Sequence, residues 1–132
     1  MNEIVIEPMR AQEINVMAEL CHAISKKAGW YTDLATGKTL EPSVELSAMK
    51  LVLIHSEVTE AWEGARKDLM DDHLPHRKME EVELADVLIR VFDYAGFMGY
   101  DLGGAMIEKM KYNQNREDHK IENRLAKGGK KA

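Results

Sequence analysis

The chain reads as all-α, a four-helix, bundle-like single domain, and three observations carry that reading. Apolar residues recur at helical spacing along nearly the whole chain, and strand-like alternation is confined to Ile4–Ile6. Residues suited to helix ends punctuate the apolar runs: Pro8, Pro42, Ser43, Gly99 and Asp101. The connections between runs are short, which favours antiparallel neighbours.

The spacing predicts a first helix from about Arg10 to Lys27, just after Pro8. The segment from Trp30 to Pro42 holds Thr32, Asp33, Gly37 and Thr39 and reads as a loop. A second helix is expected to start at Pro42 or Ser43 and run to Lys67. Met70 to His76 is a connection, and a third helix follows from about Arg77 to Met98, ended by Gly99. Asp101 can cap a fourth helix, expected to reach Leu125. Residues 126–132 carry charge and glycine with nothing to bury, so the folded domain is expected to span 1–125, followed by a disordered basic tail.

Bulk composition narrows the function. At 132 residues and 45% apolar, one compact core is feasible. A net charge of −5 argues against general nucleic-acid binding, which needs a basic face. A polyanionic substrate remains possible where a divalent cation sits between it and the protein. The lone Cys21 permits no internal disulfide and fits a reducing, cytoplasmic setting. No apolar run reaches the roughly 18 residues of a membrane span, and the acidic start MNEIVIEPMR is not a secretory signal.

The third helix concentrates the chemistry. Its apolar residues, from Val82 to Ala95, cover nearly the whole circumference. Glu83, Asp86, Arg90 and Asp93 share the remaining stripe, roughly 80° wide at about 100° per residue. Such a stripe is buried or lines a cleft, and Arg90 can neutralise only one of its carboxylates. On the second helix, the apolar face of Leu46, Met49 and Leu53 runs on into Glu57 and Glu60. Each helix therefore presents two acids at i, i+3 spacing, on one side. Packed antiparallel, the two helices would gather four carboxylates: Glu57, Glu60, Glu83 and Asp86. Like charges so placed repel unless a cation joins them. An oxygen-only ligand set favours magnesium, with manganese as a substitute, over zinc. Against this stands the plain alternative that acid pairs arise on solvated helix faces in a chain that is 31% charged.

The runs IHSEVTEAWEG (Ile54 to Gly64), EVELADVLIRVFDYAGFMGYDL (Glu81 to Leu102) and EKMKYNQNR (Glu108 to Arg116) resemble the MazG-like family of all-α nucleoside triphosphate pyrophosphohydrolases. That signature is Glu-x-x-Glu, a spacer, Glu-x-x-Asp and a later Lys-x-x-x-Asn, matched here by Glu57 and Glu60, Glu83 and Asp86, Lys109 and Asn113. The resemblance implies hydrolysis of (deoxy)nucleoside triphosphates to monophosphate and pyrophosphate, magnesium dependence, and a homodimer or homotetramer. It places the catalytic role with Glu57 and Glu60. Lys109, Asn113 and Arg116, at i, i+4 and i+7 on one helix face, become candidates to clamp the substrate. His22 and Trp30 become candidates to hold the base. One position departs from the pattern: many members carry a further Glu directly before the first acid, where this chain has Ser56. The role of base then falls to one of the four ligands or to metal-bound water.

Two rival functions use the same residues. One is a non-catalytic helical interaction module whose acidic seam meets a basic partner. The other is a di-iron carboxylate bundle, which needs two Glu-x-x-His motifs, whereas this chain has one, Glu19 with His22. Gly37-Lys38-Thr39 lacks the upstream glycine and strand of a phosphate-binding loop, and His73 and His76 lack cysteine companions for zinc.

Overall fold

The computed structural model describes residues 2–132, and among them every regular element is helical. Helices run at Met9–Lys27 (α1), Val44–Lys67 (α2), Met79–Met98 (α3), Leu102–Gln114 (α4) and Ile121–Leu125 (α5), with a 3-10 turn at Glu117–His119. No helix among the described residues is long and apolar enough to cross a membrane. The chain divides into two compact units, a central one, Val16–Tyr100, and a terminal one made of Met1–Asn15 with Asp101–Ala132.

In the central unit the start of α2 is set by Ser43, whose hydroxyl accepts the N–H of Leu46 at 3.1 Å. Its end is set by Asp68, in the left-handed region at φ 49°, where the backbone N–H returns to the Ala65 carbonyl. The connection to α3 is organised by buried Asp71, whose carboxylate accepts the N–H groups of His73 and Leu74 at 2.9 and 2.8 Å. Gly99, at φ 70°, closes α3 as its left-handed cap.

α2 and α3 pack antiparallel. Gly64 faces Met79, Glu57 meets Arg90, and the Tyr94 hydroxyl donates to Ser47 at 2.8 Å, so numbers rise along one helix as they fall along the other. The approach is close because small residues stand at the crossing: a Cβ on Gly64 would lie 2.8 Å from that of Met79. α1 comes as near to α3, with Gly96 against the Ala18 carbonyl, so Ala18 and Ala95 are both buried. The hairpin after α1 buries Tyr31 and closes through a bridge between Thr32 and Thr39.

In the terminal unit Asp101 caps α4 by accepting from Gly104 N–H at 2.9 Å, and Asn15 donates to the same carboxylate at 2.8 Å. Ile4 lies in no strand; its backbone N–H and carbonyl are both held by the Gln114 amide, at 2.7 and 3.0 Å. The fourth helix is much shorter than expected: α4 ends at Gln114, and a break separates it from α5. Asn115 turns its side chain back onto the Lys111 carbonyl, while Arg116 adopts an extended backbone and forks onto Asp118. Asn and Asp side chains compete for backbone groups, and between Tyr112 and Ile121 no apolar residue gives a continued helix a face to bury.

The third helix departs from expectation in burial. Leu84, Leu88 and Ile89 are about half exposed, at 51%, 54% and 46%. α2 and α1 cover one side of α3 and leave Leu84 and Leu88 uncovered, while Ile89 borders a cavity.

Candidate functional site

The antiparallel packing brings three of the four expected carboxylates together. Glu57, Glu60 and Glu83 each offer an oxygen, and the three atoms lie within 4.8 Å of one another. Glu57 is buried, Glu83 half-buried and Glu60 exposed. Asp86 stands outside this trio, one turn along α3 from Glu83, but close enough to feel the charge of Glu57.

Charge is unevenly distributed over the cluster. Burial opposes the ionisation of Glu57, yet hydrogen bonds from Arg90, Glu83 and Glu60 together hold its pKa below the usual carboxylate value. The Arg90 contribution is direct: Nε donates to Glu57 Oε1 at 2.6 Å. The other three acids go the opposite way. Burial, then a shared hydrogen bond with Glu57 and the charges around it, push Glu83 up to about 8. Burial and the Glu57 charge raise Asp86. Glu60 is raised first by its hydrogen bond to Glu57. One guanidinium thus satisfies one acid and leaves three short of positive charge. The orphaned atom is Glu83 Oε2, enclosed and without a hydrogen-bond partner. An oxygen trio with an unsatisfied member is a donor set that fits a hard divalent cation.

The cluster opens on a cavity of about 460 Å³ whose wall includes Glu57, Asp86, Arg90 and Asp93. Trp30, 70% exposed, lines the same space, as do apolar Met49, Leu53 and Ile89. Three of the four residues of the α3 polar stripe therefore face one pocket. His22 takes a different place. Its Nδ1 is 3.1 Å from Asp93 Oδ1, and its ring meets Tyr31 edge-on, so it supports the cavity from behind Asp93.

Lys109, Asn113 and Arg116 belong to the terminal unit. The Lys109 ammonium sits 4.6 Å from the centroid of the Tyr112 ring, and Asn113 Oδ1 is buried with no partner. Arg116 does not share their helix face, because α4 has ended before it and its guanidinium is committed to Asp118 at 2.7 Å. The expected three-residue clamp on one helix is corrected to a pair, Lys109 and Asn113. Ser56 turns away from the acids and donates to the Leu53 carbonyl at 2.6 Å.

Two cavity residues lay beyond the sequence reading. Lys50 lines the cavity, with its ammonium 4.2 Å from the centroid of the Tyr31 ring. Its signal is its position seven residues, two turns, before Glu57 on the same face of α2. Ser25 also lines the cavity, and nothing in its neighbourhood in the sequence marks it.

No protein-family model, curated protein or solved structure matches the chain.

Proposed function

We propose that the chain is a magnesium-dependent pyrophosphohydrolase, converting a nucleoside triphosphate and water to nucleoside monophosphate and pyrophosphate. The observation that carries this reading is the convergence of Glu57, Glu60 and Glu83 from two antiparallel helices beside a cavity of about 460 Å³. The resemblance of the same positions to the MazG-like signature supports it.

Glu57, Glu60, Glu83 and Asp86 would hold the metal, with manganese as a substitute. Bound there, magnesium shields the triphosphate and lowers the pKa of attacking water. The chain's own residues do the rest. Glu57, kept ionised by Arg90, supplies a charged ligand to the cluster. Glu60, the most exposed of the four acids, is proposed to accept the water proton. Arg90 supplies positive charge beside the acids, and Trp30 offers a stacking face at the cavity edge. Lys109 and Asn113 are proposed to bind phosphate and sugar, on the resemblance alone.

Phosphorus NMR on a nucleotide panel, with and without magnesium, tests the reading. Pyrophosphate and monophosphate in equal amounts, dependent on metal, are expected. Stoichiometric orthophosphate from protein free of pyrophosphatase, or no turnover of any nucleotide, overturns it. No histidine joins the trio among the described residues, which disfavours the di-iron alternative. The interaction-module alternative, in which the acidic seam of Glu57, Glu60 and Glu83 meets a basic partner, predicts binding without turnover and no metal affinity.

A further inference from the structure

The cavity has two chemically different ends, and the helix registers define them. On α3, Asp93 follows Asp86 by seven residues, and on α2, Lys50 precedes Glu57 by the same interval. Two turns of helix span about 10 Å. Because α2 and α3 run antiparallel, Lys50 and Asp93 lie together at one end, and Glu57 and Asp86 at the other. If the acid cluster takes the phosphates, the base falls at the Lys50–Asp93 end.

That end is specific in donor and acceptor character. Asp93 is buried, and its carboxylate is held on both oxygens: Oδ1 by His22 Nδ1 at 3.1 Å, Oδ2 by the Tyr31 hydroxyl at 2.8 Å. Burial and the bond to Asp93 push the Tyr31 phenol far up, so it remains a donor. Each carboxylate oxygen can accept more than one hydrogen bond, so each retains acceptor capacity beyond these contacts, and Asp93 lines the cavity. Lys50, packed over the Tyr31 ring, is donor only. A base placed here meets two adjacent acceptors beside one donor.

We infer that the cavity selects guanine nucleotides, an inference that rests on the pyrophosphohydrolase reading of the acid cluster. Among the standard bases, guanine alone presents two adjacent N–H donors, N1 and N2, with a carbonyl acceptor, O6, alongside. Adenine and cytosine each set a ring acceptor next to their amino group, and that acceptor would face a carboxylate oxygen. Uracil and thymine carry a single N–H between two carbonyls. Such mismatches leave buried polar groups unpaired, which is how sites of this type reject analogues. Asp93 pairs with N1–H and N2–H, Lys50 donates to O6, and Trp30 stacks on the ring. His22 and Tyr31 are positioning residues that fix the plane of the carboxylate.

Calorimetric binding of nucleoside monophosphates to the full chain without metal tests this apart from turnover. GMP is expected to bind about tenfold or more tightly than AMP, CMP or UMP. IMP, which lacks the 2-amino group, is expected to fall between. Asp93→Asn should erase the preference for GMP. Because Asp93 is also structural, Lys50→Met is the second variant; it should weaken GMP and IMP several-fold and leave AMP unchanged. Equal binding of all four monophosphates, preference for another base, or IMP binding as tightly as GMP overturns the base assignment and leaves the hydrolytic reading standing. Failure to bind any nucleotide, with triphosphates and magnesium included, overturns both.

Discussion

Arg90 on α3 donates from Nε to Glu57 on α2 over 2.6 Å, and this contact is the only direct cation–acid pairing of the carboxylate cluster among the described residues. It joins the two helices whose acids must converge, and it puts a positive charge where a metal would otherwise stand alone against four carboxylates.

Arg90→Gln should therefore act in two directions. Loss of a charged hydrogen bond to a buried acid is expected to lower metal-free stability by about 1–3 kcal/mol. Affinity for manganese should rise, since no guanidinium then competes for Glu57. Thermal melts in chelator, set beside calorimetric titration with manganese, check both. An unchanged melting temperature together with unchanged manganese affinity would contradict the role given to this pair.

The raised pKa of Glu83 makes a pH prediction for the metal-free protein. Its carboxyl is pushed from the ordinary 4.5 to about 8 in the folded chain, so between those values the native state binds more protons than the unfolded state. Stability must then fall as pH rises through that window, because ionisation is tolerated only after unfolding. Glu83→Gln removes its largest part and leaves the smaller contributions of Glu60 and Asp86, which are also raised. Denaturant unfolding in chelator at about pH 5, 6.5 and 8 should show the wild type losing clearly more stability than the variant. Parallel trends in the two proteins would refute it.

Glu57→Gln and Asp86→Asn are each expected to cut turnover by roughly a hundredfold or more while far-UV circular dichroism stays native. Asp86 lies outside the three-oxygen trio, so its effect tests whether the site extends to four acids. Substantial activity in either variant at saturating magnesium would remove that residue from the ligand set.

Self-association is expected through the outward face of α2. Val44, Ala48, Leu51, His55, Val58, Trp62 and Ala65 recur at heptad spacing on the side opposite buried Leu46, Glu57 and Ala61. Trp62 is 64% exposed and Val58 50%. An antiparallel pairing centred on His55 would set Glu45 of one copy beside Arg66 of the other. Trp62→Glu should yield monomer by light scattering. Glu45→Arg alone should weaken the dimer, and adding Arg66→Glu should restore it. A monomeric wild type at micromolar concentration, or a double variant as weak as the single one, would argue against this seam.

Lys109→Ala separates substrate contact from local packing. A phosphate contact predicts a loss of roughly 2–4 kcal/mol in kcat/KM, about thirty-fold to nearly a thousand-fold, with metal affinity unchanged. The contact with Tyr112 alone predicts only about 0.5–1 kcal/mol of stability and normal kinetics. Steady-state rates and a melt on the same preparation distinguish the two.

The all-α class was legible in the sequence because it rests on local physics. Ser43, Gly99 and Asp101 satisfy helix ends with their own side chains or backbone, and the apolar spacing is visible without a partner. The i, i+3 acid pairs were legible for the same reason, since one helix places both members on one side. The end of α4 was not: the expected helix through to Leu125 counted spacing, and Asn115 and Asp118 instead drew backbone and Arg116 away from it. What only the tertiary structure decided is which helices meet and in what register. Local spacing is blind to the crossing at Gly64 and Met79, and that crossing sets Glu57 against Glu83 and Arg90 while leaving Asp86 to one side. It also decided that Lys50 and Asp93, far apart in the chain, share one end of one cavity and both meet buried Tyr31, because contacts between distant segments depend on the packing of whole helices.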